Sequence, residues 1–248
     1  MAEQQKKFSE FYFTSEQECP YLSEKLERKL FTHLTHDKSP SFIDNLLKSG
    51  FRRSQNIAYI PYCNGCRACI SVRLPVNELQ LSKSQRRIIK RNKDIVAKRL
   101  SPVPTVEQYR LFRKYVQSRH GDGGMADMSA YDFTVMIRDT IVNTCITEYR
   151  AYIEKEKSFE EQPLIASALC DYLSDGISMV YSFYDSNQSE RSLGTYMIIE
   201  HARYAQHIGM SFLYLGYWIA NSRKMCYKIK FKPQEHLRAG GWVRYTGC

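Results

Sequence analysis

No window of the 248-residue sequence approaches the roughly 18 consecutive apolar residues that a membrane span requires, so none of it is expected to cross a bilayer. The first ten residues, Met1 to Glu10, lack the basic start, apolar middle and small-residue cleavage site of a secretory signal, and the chain is expected to stay in the cytoplasm. Internal repeats and low-complexity segments are absent as well. The eight cysteines are scattered over too large a chain to form the disulfide framework of a small secreted domain, and they read as thiols or metal ligands. Acidic residues are scarce in one place. Residues 51–99 hold two of them against 12 Lys and Arg, so this segment carries a charge equal to the net +10 of the whole chain. Residues 101–248 are close to neutral, with 17 basic and 16 acidic side chains. A concentrated positive patch attracts a polyanion.

What is present reads as an α/β protein of two parts, with the boundary at the helix-breaking Ser101-Pro102-Val103-Pro104. Residues 1–101 read as a small α/β unit. Ser39-Pro40-Ser41 opens the apolar spacing of Phe42, Ile43, Leu46 and Leu47, and Gly50 closes it, which predicts a short helix. The runs 57–62 and 70–76 read as strands around a turn at Cys63-Asn64-Gly65-Cys66. Between 84 and 99 the spacing of Ile88, Ile89, Ile95 and Val96 predicts a basic amphipathic helix. Residues 102–248 read as helices at 105–119 and 129–140, strands at 141–153, 163–173 and 177–184, a helix at 192–208 and a strand at 211–218. A glycine-rich connection, 119–124, joins the first two helices, and Glu154 to Gln162 reads as a charged hairpin tip. The order resembles an N-acyltransferase (GNAT-like) layout with a mixed sheet.

The run from Tyr59 to Arg73, with Cys63, Cys66 and Cys69 inside it, followed by Ser82-Lys83-Ser84-Gln85-Arg86-Arg87, resembles the N-terminal region of arginyl-tRNA–protein transferases. Asp171 to Asp185, Arg191-Ser192-Leu193-Gly194-Thr195, Tyr214 to Ile219 and Lys224 to Lys228 resemble the C-terminal region of the same family, in the right order. The short length and the Cys-x2-Cys-x2-Cys form are similar to the bacterial branch, the aspartate/glutamate leucyltransferases. That resemblance implies a soluble enzyme of the N-degron pathway that takes leucine from leucyl-tRNA and joins it to proteins beginning with Asp or Glu, marking them for degradation. An arginyl-tRNA donor is the alternative.

Such a reaction joins an activated ester to an α-amine whose pKa, roughly 7.7–8.0, leaves a useful neutral fraction at neutral pH. The site needs positioning, a proton acceptor and donors for the developing oxyanion. Asp171 and Asp185, with Tyr181 and Tyr184, are the candidate catalytic groups; the opposing reading makes Asp185 a turn cap before Asn187 and leaves Asp171 solvated. For the acceptor's carboxylate the candidates are Arg191, at the start of a helix, then Lys224 and Lys228. Tyr217 and Trp218 are candidates for stacking on the terminal adenosine. The tRNA candidates are Arg52, Arg53, Lys83, Arg86, Arg87, Lys90, Arg91 and Lys93. No cofactor is required. Cys63, Cys66 and Cys69, with Cys19 from a distance, have the tight spacing of zinc or iron–sulfur ligands, or are small residues packed at a turn. The six histidines are dispersed and carry no expected role.

Two rival functions differ in their requirements. An acetyl-coenzyme A enzyme of this fold needs small residues where its loop meets a pyrophosphate, whereas Tyr196 fills that position in Arg191-Ser192-Leu193-Gly194-Thr195-Tyr196. A non-catalytic RNA-binding protein explains the basic segment and leaves Asp171 to Asp185 without a role.

Overall fold

The computed structural model describes residues 10–119, 125, 127–154 and 156–247. The strands are β1 (Tyr12–Phe13), β2 (Gln17–Glu18), β3 (Leu26–Glu27), β4 (Lys29–His33), β5 (Arg52–Ser54), β6 (Ile57–Pro61) and β7 (Ile70–Pro75), then β8 (Ile95–Leu100), β9 (Thr144–Ala151), β10 (Leu164–Tyr172), β11 (Gly176–Tyr184), β12 (Phe212–Trp218), β13 (Glu235–Arg238) and β14 (Gly241–Arg244). The α-helices are α1 (Pro40–Lys48), α2 (Lys83–Arg91), α3 (Val106–Arg119), α4 (Ala130–Arg138) and α5 (Leu193–His207). A four-stranded sheet, β1-β4-β6-β5, stands beside an eight-stranded mixed sheet ordered β14-β13-β7-β12-β11-β10-β9-β8, and β2 and β3 form a small ribbon. The mixed α/β class and the order of elements expected from 105 to 218 are those observed. The glycine-rich connection lies, apart from Arg119, outside the described residues.

The main sheet takes strands from both sides of Ser101, so the expected division at 101/102 does not fall between two sheets. β7 pairs with β12 and β8 with β9. The helix expected across 84–99 is corrected. α2 starts on a capping box between Ser82 and Gln85 and stops at Arg91. Asn92 caps it, its amide nitrogen donating to the Ile88 and Arg191 carbonyls. After Asp94 the β-branched Ile95 and Val96 enter strand β8, where pairing with β9 overrides the helical spacing.

Helices cover the sheet on both faces. Leu193, Met197, Ile198 and Ala202 of α5 bury against Val72, Ala168 and Leu213. On the other face Phe112 and Val116 of α3, with Phe133 and Ile137 of α4, enclose Ile146, Leu169 and Phe183. A third cluster seats α1, through Ile43, Leu46 and Leu47, on Ala58 and Tyr214. Among the described residues no helix is long and apolar enough to cross a membrane.

One irregularity positions the site. β11 and β12, parallel and joined by α5, pair only through Gly176–Phe212, Ile177–Leu213 and Ser178–Tyr214. Beyond that point the two strands form an open fork. β12 bulges there, and Gly216 takes a φ of 71°, in the left-handed region that favours glycine.

Candidate active site

A cleft of about 580 Å³ opens at the fork's wide end. Tyr115, Ser118 and Arg119 of α3 line one wall, and Ser182 and Tyr184 of β11 line the floor. Gln188 and Ser189, then Ser192, Leu193, Gly194 and Thr195 at the start of α5, and Arg223, Lys224 and Tyr227 after β12 complete it. Three of these side chains are cationic, the positive end of α5 adds to them, and among the described residues no carboxylate or histidine lines the cleft. Ser192 enters α5 at φ 53°, a conformation uncommon outside glycine and found often at functional sites. Gly194 brings the backbone against the Tyr184 ring, since an added Cβ would sit 3.3 Å from it. Tyr115 and Tyr184 rings lie 4.8 Å apart. Burial, reinforced by Tyr184 and Tyr181, raises the Tyr115 hydroxyl well above its ordinary range. Burial alone pushes Tyr181 up to about 12. At neutral pH these phenols are donors and not bases.

The expected catalytic carboxylates do not converge. Asp171 is fully buried, and Arg53 grips it with Nε at 2.6 Å and Nη2 at 2.7 Å while the Thr144 hydroxyl donates at 2.7 Å. It stands opposite Ser178, and Asp185 follows the far end of β11, roughly 20 Å further along at the usual strand rise. Asp171 is thus a structural anion that joins β5 to β10 and is not solvated. Asp185 pairs with Lys114 at 2.7 Å and accepts from the Asn187 amide, as a turn cap would. Burial opposes its ionisation, but Lys114, the Asn187 amide and Gln188 outweigh it and lower its pKa. Tyr184 lines the cleft, and Tyr181 packs in the cluster under α3 and α4 with its hydroxyl buried and without a hydrogen-bond partner among the described residues.

Arg191 is engaged elsewhere, with both terminal nitrogens on Asp94 at 2.9 Å. Lys224 is exposed in the cleft. Lys228 is buried and donates to the Leu215 and Tyr217 carbonyls at 2.8 and 2.6 Å. Tyr217 is also buried, its hydroxyl donating to the Gly50 and Tyr59 carbonyls, and the Trp218 ring packs on His236. Neither aromatic lines the cleft. Of the tRNA candidates, Lys83, Arg86, Arg87, Lys90, Arg91 and Lys93 are exposed on and just after α2. Arg53 is buried against Asp171, and Arg52 reaches across to donate to the Val180 carbonyl at 2.8 Å.

Cys19, Cys63, Cys66 and Cys69 do come together, lining a cavity of about 60 Å³ with Tyr59 and Tyr217. Burial, and then the neighbouring Cys19, Cys63 and Cys66, push the Cys69 thiol up to about 12, while Cys63 donates to the Arg28 carbonyl. Metal ligation needs thiolates. Among the described residues no group of three or more His, Cys, Asp or Glu is arranged to hold a metal, and the zinc or iron–sulfur expectation is not supported.

Sequence reasoning missed Tyr115, Arg119, Ser192, Arg223 and Tyr227 in the cleft, and the role of Arg52 in the fork. Ser192 and Tyr227 lay inside the family-motif runs, and Gly216, an isolated glycine inside a strand pattern, marked a bulge or a close approach.

Known proteins share both halves of the chain. Residues 17–87 match the family described as "Arginine-tRNA-protein transferase, N terminus", and residues 107–238 match "Arginine-tRNA-protein transferase, C terminus". An aspartate/glutamate leucyltransferase of Rhizobium meliloti (strain 1021) is 52% identical over 96% of this chain and 93% of its own. One of Brucella suis (strain ATCC 23445 / NCTC 10510) is 48% identical over the full length of both. Among solved structures, that of FemX is similar at a TM-score of 0.44 and 10% identity, covering 76% of this chain and 62% of FemX.

Proposed function

The chain belongs to the arginine-tRNA-protein transferase family, and from that membership we propose that it transfers leucine from leucyl-tRNA to the α-amine of proteins beginning with Asp or Glu. The names of its relatives supply the donor and the acceptor, and one observation on this chain supports the chemistry. The open end of the β11/β12 fork is a cationic cleft at the start of α5, floored by Ser182 and Tyr184. The acceptor's neutral amine attacks the ester carbonyl of the charged tRNA. A C–N bond forms, the C–O bond to the terminal ribose breaks, and the freed hydroxyl retains a proton taken from the amine. Backbone N–H groups at the start of α5 and the Tyr184 hydroxyl are the donors for the developing oxyanion. An α-amine with a pKa of roughly 7.7–8.0 keeps a useful neutral fraction at neutral pH, and that fraction makes the attack.

Residues before 101 supply the tRNA-contacting surface in this reading, through Lys83, Arg86, Arg87, Lys90, Arg91 and Lys93. Residues after 101 supply the cleft. The product carries a new N-terminal leucine, the mark by which the N-degron pathway selects a cytoplasmic protein for degradation. Tyr196, buried in α5, weighs against a coenzyme A donor. The test incubates the purified chain and an Asp-led peptide with labelled leucyl-tRNA, arginyl-tRNA or acetyl-coenzyme A. Label from leucyl-tRNA alone is expected; acetyl transfer would overturn the reading.

A further inference from the structure

We propose that Arg52 and Lys228, two cations held in the β11/β12 fork, bind the acidic side chain of the acceptor's first residue. This rests on the transfer reading above and adds the specificity site to it. Where the strands diverge, carbonyls that sheet pairing would have satisfied need donors. Arg52 Nη2 serves Val180 on β11, and Lys228 serves Leu215 and Tyr217 on β12. Each cation keeps donors beyond those contacts: Arg52 Nη1 is buried with no partner among the described residues, and Lys228 has a third N–H. No carboxylate forms an ion pair with half-buried Arg52 or buried Lys228 among the described residues, although the buried arginines Arg53 and Arg150 each have one.

The backbone is shaped around this pair. A Cβ on Gly216 would lie 1.9 Å from Arg52 Nη1, so only glycine lets the guanidinium rest against the bulge. Burial and then the charge of Arg52 lower the Lys228 ammonium to about 7. Two like charges this close cost free energy that an incoming anion relieves. Access runs past Tyr227, which lines the cleft and lies near enough to Arg52 to feel its charge.

The chemistry favours a carboxylate on a short tether. Guanidinium presents two parallel donors to it, and the flexible lysine adjusts to the one-methylene difference between Asp and Glu. Asn or Gln would leave both cations unpaired and turn an NH2 group toward one of them. A donor phosphate is the other anion in the reaction, but it lies between two nucleosides that are too bulky for so deep a position.

The test measures leucine transfer to peptides identical except for a first residue of Asp or Asn, with leucyl-tRNA affinity measured separately. Arg52→Gln should lower the Asp-to-Asn ratio of kcat/KM on the order of 100-fold and leave leucyl-tRNA affinity unchanged. Gly216→Ala should lower the ratio with both cations still present. Should Arg52→Gln fail to fold, Arg52→Lys keeps the charge without the planar fork and should show a smaller fall in the same ratio. An unchanged ratio in the folded variant overturns the assignment, and so does weakened tRNA binding at constant ratio, which would make the anion a donor phosphate. Absence of transfer by the unaltered protein would instead refute the enzymatic reading itself.

Discussion

Replacing Asp171 by Asn separates a structural from a catalytic role for the most deeply buried carboxylate among the described residues. Arg53, 4% exposed, has three of its contacts from Nε and Nη2 on Asp171 and Thr144 and one from Nη1 on the Gln55 carbonyl. An amide in place of the carboxylate removes the counter-charge of Arg53 and turns an NH2 donor toward another donor. Breaking a buried pair from one side costs about 3–5 kcal/mol. At roughly 2–4 °C per kcal/mol for a chain of this size, Tm should fall by about 6–20 °C. Thermal unfolding followed by circular dichroism measures it. Replacing both partners by apolar residues, Arg53→Met with Asp171→Leu, should recover most of the stability, because no lone buried charge remains. Leucine transfer by that double variant, measured well below its Tm, should persist. A stable Asp171→Asn protein with no activity would refute this reasoning and return Asp171 to the chemistry.

Three further outcomes are expected from the geometry. Alanine at Arg86, Arg87, Lys90 and Arg91, all exposed on α2, should flatten the dependence of log tRNA affinity on log salt by roughly 0.7–0.9 for each phosphate no longer neutralised, measured by filter binding; an unchanged slope would move the tRNA site. Arg191→Ala should cost up to about 1 kcal/mol in urea unfolding and leave the Asp-to-Asn acceptor ratio unaltered, since its fork is spent on Asp94 in a partly exposed pair. Lys228 is folded with a pKa lowered to about 7 against about 10.4 in the unfolded chain, so the unfolded state binds more protons between those values. Stability should therefore rise with pH across that window, and Lys228→Met should abolish the rise in urea unfolding at pH 7 and 9.

What the sequence disclosed follows from how local each signal was. The helix at 40–48 was marked by its Ser-Pro opening and a spacing of three and four, and β10, β11 and β12 by β-branched and aromatic runs, all read within a few residues. Strand β8 was missed because Ile88 and Ile95 are seven apart by coincidence; only pairing with β9, some fifty residues on, decides the conformation of Ile95. The site was harder still. Tyr184 and Lys224 were legible through the family motifs, but whether a charged residue meets substrate or another residue depends on partners distant in sequence. Arg53 finds Asp171 118 residues away, and Arg191 finds Asp94 97 away. Arg52 and Arg53 are neighbours of identical chemistry, yet among the described residues only Arg53 is paired with a carboxylate.

The most direct test of leucine transfer to acidic N-termini presents the purified chain with labelled leucyl-tRNA and four peptides that differ only in a first residue of Asp, Glu, Lys or Ala, and sequences the products by tandem mass spectrometry. The expected product is one leucine, amide-linked to the α-amine, on the Asp- and Glu-led peptides and on neither of the others. Leucine on the Lys- or Ala-led peptide, or on none of the four, would contradict the proposed function.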